Sequence, residues 1–201
     1  MIEIERKFAL KEGDKERLIN GAEFLKEKII FDSYYDKDDY SLTSKDTWLR
    51  CRNGKFELKM PLHGKEGLNR EADQYEEIDS EEGIRTKLNL AKEKSLEVDL
   101  EENGYKPFCS YKTIRQEYKK GIFIIDIDEA DFGDSSHQLA EIELEAPDEG
   151  AIKETIGKIL VFANEIGLSN DKIRGKVTEY LRRYDIDHYR ALVRAGVCRD
   201  Y

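Results

Sequence analysis

The sequence predicts an α+β fold, a closed antiparallel β-barrel with a charged interior and helices packed outside. Three observations predict it. The first eight residues alternate as a strand would, with Ile2, Ile4, Arg6 and Phe8 on one face and Glu3, Glu5 and Lys7 on the other. The pattern returns in at least four later segments, each setting acids and bases opposite apolar residues. Several segments of helical periodicity are available to cover the apolar faces. An open sheet with solvated, salt-bridged charges would account for any one of these strands. It accounts poorly for five of them.

The elements follow in order. Gly13 and Asp14 precede a short amphipathic helix with Leu18, Ile19 and Ala22 on its apolar side. A strand runs through Lys28–Asp36, and the polar stretch from Lys37 to Asp46 reads as a loop. Trp48–Arg52 and Lys55–Met60 are strands joined at Asn53-Gly54, a dipeptide suited to the positive φ angles of a tight hairpin. Alternation puts Trp48, Arg50 and Arg52 on one face, and Glu57 with Lys59 opposite Phe56, Leu58 and Met60. The glycines at 64 and 67 mark His63 to Leu68 as a mobile loop, and Arg70 to Ile78 is a further strand in which Asp73, Tyr75 and Glu77 share a face. Ser80 is a helix N-cap followed by two acids, and Glu81 to Asn103 carries one or two surface helices ending near Gly104. Strands at Phe108–Lys119, Ile122–Asp128 and Gln138–Glu145 follow, the first two divided by the turn Lys120-Gly121. Pro147 and Asp148 open a helix bearing Ile152, Ile156, Ile159, Leu160 and Ala163 and stopped by Gly167, and Gly175 to Ala195 reads as helical. With no linker, repeat or low-complexity segment, residues 1–201 are expected to form a single domain.

Composition narrows the function. The chain has 201 residues, enough for one domain with a full core. Charged residues make up 39% of it, against about 25% in an average soluble domain. A mean hydropathy of −0.73 alone would point to disorder, but eight Phe, eleven Tyr and regular apolar periodicity oppose that. The net charge of −10 disfavours a nucleic-acid or anionic-membrane binder, while leaving room for a small anionic ligand in a locally basic pocket. No apolar run reaches the roughly 20 residues of a membrane span, and charges from Glu3 onward argue against a leader. Cys51, Cys109 and Cys198 have no metal-ligand spacing and read as reduced structural thiols of a cytoplasmic protein. A monomer without nucleic-acid or membrane partners is expected.

The charged faces together hold the acids Glu3, Glu5, Glu57, Glu77, Asp126, Glu141 and Glu143 and the bases Lys7, Arg50, Arg52, Lys59 and Arg115. A barrel of about eight strands is filled by side chains or holds one small ligand. Charges inside it must be wet, paired or bound to ions. Arg and Lys donate to phosphate oxygens, and clustered carboxylates hold a hard divalent cation such as Mg²⁺. The two sets suit a metal-bound polyphosphate. There is no Walker-type glycine loop, so basic side chains would have to replace that cradle, and neither Cys nor His offers a covalent nucleophile.

Glu3-Ile4-Glu5-Arg6-Lys7 matches the ExExK signature of the CYTH superfamily, the triphosphate tunnel metalloenzymes. The resemblance continues in the family's order at Trp48–Arg52, Phe56–Lys59, Arg115, Asp126–Asp128, Glu141–Glu143 and Lys176. Within the superfamily the chain looks most like the thiamine triphosphatase branch, at Tyr34-Tyr35-Asp36, Ser41-Leu42, Asp46–Arg50, Ala130–Gly133, Lys176 and Tyr180–Arg183. Ser80 to Pro107 has no counterpart there.

The resemblance implies an eight-stranded antiparallel tunnel. It implies that Lys7, Arg50, Arg52, Lys59, Arg115 and Lys176 grip the triphosphate, and that Glu3, Glu5, Asp126, Glu141 and Glu143 hold Mg²⁺, or Mn²⁺ in its place. Lys59 and Tyr34 would act at the reacting phosphate, and Trp48 would stack on the thiamine moiety. Asp128 and Glu145 extend the alternation without belonging to the matched set. The activity implied is hydrolysis of thiamine triphosphate to thiamine diphosphate and phosphate. The alternatives are an inorganic triphosphatase, an adenylate cyclase or a non-catalytic polyphosphate-binding module. Removing a base such as Lys7 or Arg52 is expected to relieve repulsion among neighbouring cations and so to stabilise the free protein.

Overall fold

A computed structural model of the chain describes residues 2–62, 72–169, 171 and 173–200. Eight strands, β1 (Ile2–Phe8), β2 (Glu23–Asp36), β3 (Trp48–Arg52), β4 (Lys55–Pro61), β5 (Asp73–Ile78), β6 (Lys106–Lys120), β7 (Phe123–Asp131) and β8 (Ser136–Ala146), close into an antiparallel barrel. They run around it in the order β1-β5-β4-β3-β2-β6-β7-β8. Among the described residues six α-helices accompany them: α1 (Asp14–Ile19), α2 (Glu81–Leu88), α3 (Leu96–Glu102), α4 (Ile152–Glu165), α5 (Lys176–Tyr184) and α6 (Ile186–Ala195). The expected barrel and its eight strands are present. The expected loop at His63 to Leu68 and the first residues of the strand from Arg70 lie outside the described residues.

Local chemistry explains the turns and caps. Asn53 and Gly54 have φ of 49° and 83°, the left-handed pair a two-residue hairpin requires. The Asn53 carboxamide oxygen also accepts from the Phe31 N–H at 2.9 Å, tying that hairpin to β2. The hydroxyls of Ser80 and Ser95 accept from the N–H of Gly83 and Val98 and so start α2 and α3 separately. The helical tail is likewise two helices, because the Asp185 carboxylate caps a fresh start by accepting from the His188 N–H at 3.1 Å. Strand β2 begins five residues before the expected Lys28.

The described chain divides into two compact units. The first comprises Met1–Ile30, Asn69–Gln74 and Lys112–Lys176, and the second Phe31–Leu68, Tyr75–Tyr111 and Val177–Tyr201. In the first, Ile4, Phe8, Ala140, Ile142 and Ala146 on the outer faces of β1 and β8 pack with Ile159 and Ala163 of α4. In the second, Leu49 and Leu58 of β3 and β4 pack with Ile84 of α2 and Leu96 and Leu100 of α3. Burying these side chains on the outside fixes strand register, since a one-residue slip would put Ile142 where Glu141 or Glu143 points. Among the described residues no helix is long and apolar enough to cross a membrane.

Ile142 is fully buried, so Ile142→Ala should cost ~2–5 kcal/mol of unfolding free energy in a urea titration. A loss below ~1 kcal/mol would mean the α4–β8 contact collapses around the deletion and does not hold the register.

Candidate active site

In the first unit, the inner faces of β1, β8, β7 and β6 carry the charges. Register places Glu5 opposite Glu143 and Lys7 opposite Glu141 on β8, Asp126 opposite Glu141, and Arg115 opposite Asp128. The Arg115 guanidinium donates from Nε and Nη2 to the two oxygens of Asp128 at 2.7 and 2.6 Å. It also pairs with Asp126 and Glu141 and lies 3.9 Å from Glu143. Burial alone would lower its pKa; Glu141, Asp128 and Asp126 overcome that and hold it well above the ordinary value. The Lys176 ammonium, at the start of α5, pairs with Asp128 and sits 3.3 Å from Glu141. Lys7 pairs with Glu5 and, at 2.5 Å, with Asp73. Against the effect of burial, Asp73, Glu5 and Glu141 raise its pKa as well.

Asp128 was absent from the expected site residues, yet it is fully buried and shared by Arg115 and Lys176. The signal for it was the alternation Asp126-Ile127-Asp128. Asp73, which shares Lys7 with Glu5, was legible only as a charge on the face of Tyr75 and Glu77.

The five acids expected to hold a metal form two overlapping groups. Glu3, Glu5 and Glu143 bring carboxylate oxygens within 4.8 Å of one another, as do Asp126, Glu141 and Glu143. Register puts the like charges of Glu5 and Glu143 side by side. Burial, with Asp126, Glu5, Glu141 and Glu3 close by, pushes Glu143 up to about 9. Burial pushes Asp126 up to about 7, Glu141 and Asp128 adding to the rise and Arg115 opposing it. One oxygen of Asp126 is buried and accepts no hydrogen bond from the described residues. Hard oxygen donors that crowd and repel each other, one of them a buried Asp126 oxygen that accepts no hydrogen bond from the described residues, fit a hard divalent cation.

In the second unit each expected base has its own acid. Arg52 donates from Nε and Nη2 to the two oxygens of Asp32, at 2.8 and 2.9 Å. Burial and the neighbouring Arg50 would lower its pKa, but the Asp32 bonds keep it raised. Arg50 donates from Nε to Glu57 at 2.7 Å, and despite burial Tyr34 and Glu57 raise it. Lys59 pairs with Glu77 and lies 6.0 Å from the centre of the Tyr75 ring. Burial works against that carboxyl's charge, yet Lys59 holds Glu77 below its ordinary value.

Tyr34 is buried on β2, opposite Arg50 in register, with its ring stacked on Tyr111 at 6.1 Å and edge-on to Trp48 at 6.4 Å. The Trp48 indole N–H donates to Asp46 at 2.8 Å, and the Tyr75 hydroxyl donates to the same oxygen at 2.9 Å. Arg50 does repel Arg52, as expected, but the buried pair argues against a gain in stability on removing Arg52: Asp32 is 2% exposed and would be left without its base. Arg52→Ala should cost ~3–5 kcal/mol of stability at neutral pH, measured by chemical denaturation. A neutral or stabilising effect would show that the Arg52–Asp32 pair does not compensate its own desolvation.

Comparison with known proteins agrees with the fold. The model of the CYTH domain matches residues 1–175. The thiamine-triphosphatase of Homo sapiens is 28% identical over 222 residues, covering all of this chain and 93% of the relative. A Pyrococcus horikoshii OT3 protein superposes with a TM-score of 0.67 at 20% identity, over 90% of this chain and 99% of that one. A Hippeastrum protein with a dominant triphosphatase activity gives 0.56 at 20% identity, over 93% and 98%. With 175 of its 201 residues matched by that model, the chain belongs to the CYTH domain family.

Proposed function

We propose that the protein hydrolyses the terminal phosphoanhydride of thiamine triphosphate, releasing thiamine diphosphate and phosphate. The observation that carries this reading is the separation of charge chemistry within a CYTH chain. One unit gathers five mutually repelling carboxylates, and the other presents three paired bases beside the chain's single tryptophan. Similarity to thiamine-triphosphatase over the full chain supports the organic half of the substrate. That both sets serve one ligand within one domain is part of the proposal and rests on family membership. Three free cysteines support a reducing, cytoplasmic setting.

In this reading Glu3, Glu5, Asp126, Glu141 and Glu143 hold Mg²⁺ or Mn²⁺. The bound cation supplies Lewis-acid neutralisation of phosphate oxygens. The chain does the rest by exchanging partners. Arg50, Arg52, Lys59, Lys7, Arg115 and Lys176 each hold a carboxylate in the free protein and turn to phosphate oxygens in the complex. A base kept charged by its acid needs no protonation step when that acid is replaced by phosphate. Lys59 and Tyr34 sit at the transferring phosphoryl group, Lys59 stabilising developing charge and the Tyr34 hydroxyl orienting it. Trp48 offers its ring to the cationic thiazolium, with Asp46 fixing the indole plane.

Glu143→Gln keeps shape and removes a charge the cation needs. It should lower Mg²⁺-dependent phosphate release by roughly 100-fold or more. The same variant tests the electrostatics. A carboxyl raised to about 9 in the fold contributes stability that is present below the unfolded carboxyl's value and lost as pH rises towards 9. The metal-free wild type should therefore weaken between pH 5 and about 9, and Glu143→Gln should flatten that slope. Unchanged turnover at saturating Mg²⁺ would remove Glu143 from the site, and an unchanged slope would remove it from the buried acid group.

Trp48 also makes packing contacts, with Tyr34 and Asp46, and this favours an inorganic triphosphatase as the second reading. If stacking on thiamine contributes ~1–2 kcal/mol, Trp48→Ala raises KM for thiamine triphosphate roughly 5- to 30-fold and leaves tripolyphosphate hydrolysis near wild type. Equal losses on both substrates with a lowered Tm would favour the inorganic triphosphatase.

A further inference from the structure

The loop carrying Asp46 and Trp48 is held from outside itself. Tyr40 lies in the left-handed region at φ 57° and Asp46 at φ 58°, conformations that non-glycine residues keep only when their surroundings fix them. Two anchors do so within the second unit. The Asp36 carboxylate accepts from the backbone N–H of Lys37 and Leu42 through one oxygen and of Thr43 through the other, at 2.8–3.0 Å. The second anchor is His188 of α6, which is fully buried. Its Nε2 is 2.8 Å from the Thr43 hydroxyl, its ring stacks on Tyr40 at 4.0 Å and 10°, and Phe108 meets it edge-on at 4.6 Å. Its Nδ1 makes no hydrogen bond with the described residues. The polar contact of the ring among the described residues is thus with Thr43.

Thr43 begins a short 3-10 turn that ends at Asp46, and α6 packs on that turn. Asp46 then accepts from both the Trp48 indole and the Tyr75 hydroxyl. One chain of contacts therefore runs from α6 through His188, Thr43 and Asp46 to Trp48. His188 lies beyond residue 175, where the match to the family model ends.

We infer that His188 is a positioning residue: through Thr43 and Tyr40 it fixes the orientation of Trp48, and so sets preference for triphosphates that carry a heteroaromatic cation over inorganic triphosphate. The preference rests on the function proposed above; the positioning of Trp48 does not. Burial keeps the imidazole below its ordinary pKa against the pull of Asp185 and Asp36, so it is neutral and shares one hydrogen with Thr43.

The test uses the full chain with His188→Ala, His188→Gln and Thr43→Val. Gln can place an amide group where Nε2 lies, and Val removes only the hydroxyl. Trp48 is the only tryptophan, so its emission maximum and anisotropy report its surroundings with no substrate present. His188→Ala and Thr43→Val should red-shift the emission and lower the anisotropy, and His188→Gln should restore both. Loss of this hydrogen bond should raise KM for thiamine triphosphate about three- to tenfold, with kcat on tripolyphosphate within about twofold of wild type. If His188→Ala does not fold, Thr43→Val decides. Unchanged Trp48 fluorescence in the folded variants overturns the positioning role. Altered fluorescence with equal losses on both substrates overturns the preference. A wild type inactive on both substrates sinks the proposed function, while the fluorescence still decides the positioning.

Discussion

The bidentate pair between Arg115 and Asp128 is the contact on which the first unit's charged face depends. Both groups are buried, and neither is tolerable there alone, because an uncompensated buried charge costs several kcal/mol, on the order of 3–5. Their registered position on β6 and β7 sets the partner opposite each neighbouring charge. Asp126 and Glu141 crowd onto the same guanidinium, and Lys176 completes the group by reaching Asp128 from the start of α5. The geometry of a planar five-donor group is what lets one cation serve several carboxylates; a lysine at 115 could not make the same fork.

The second unit resolves the same problem differently, with one acid for each base. Arg50 has Glu57, Arg52 has Asp32 and Lys59 has Glu77. Four of these six side chains alternate along β3 and β4, whose outer faces carry Leu49 and Leu58 into the helix-covered core. The alternation therefore does two jobs: the even positions of β3 carry Trp48 and the two guanidinium groups, and Leu49 on the other face holds the strand in place. A change on either face is felt on the other through register.

Much of this was legible in the sequence because period-2 patterns survive in any half-covered strand. The barrel strands, the Asn53-Gly54 hairpin and the Ser80 cap were read from local chemistry that tertiary structure had no reason to override. The five acids that cluster were legible as a charged face because they alternate with Ile and Leu; their choice as one set came from the family resemblance. What escaped were partners. Asp32 and Asp128 looked like ordinary members of alternating strands, and only the fold shows that each holds a guanidinium by both oxygens. His188 was legible only as one of three scattered histidines, because its partners Tyr40, Thr43 and Phe108 lie 80 or more residues away in sequence. Long-range pairing leaves no periodic trace. The division of the tail at Asp185 was missed for a related reason, since one capping carboxylate interrupts an otherwise continuous helical pattern.

The difference between the units has a chemical consequence. In the first, the inner-face acids Glu3, Glu5, Asp73, Asp126, Asp128, Glu141 and Glu143 meet the bases Lys7, Arg115 and Lys176, so negative charge is in excess among the described residues. In the second the pairs balance. An excess of buried carboxylate can be relieved by protons or by cations. Burial first and the crowding of like charges second push Asp126 up to about 7 and Glu143 up to about 9, so protons relieve the excess in the free protein. A divalent cation relieves the same excess with two charges at one point, and it must displace those protons to do so. Affinity for such a cation would therefore be tied to pH through Asp126 and Glu143, whereas the second unit's guanidinium groups stay charged throughout. The fold thus keeps the proton-sensitive carboxylates in the first unit, and puts on the strand of Trp48 two guanidinium groups, Arg50 and Arg52, whose charge does not depend on pH.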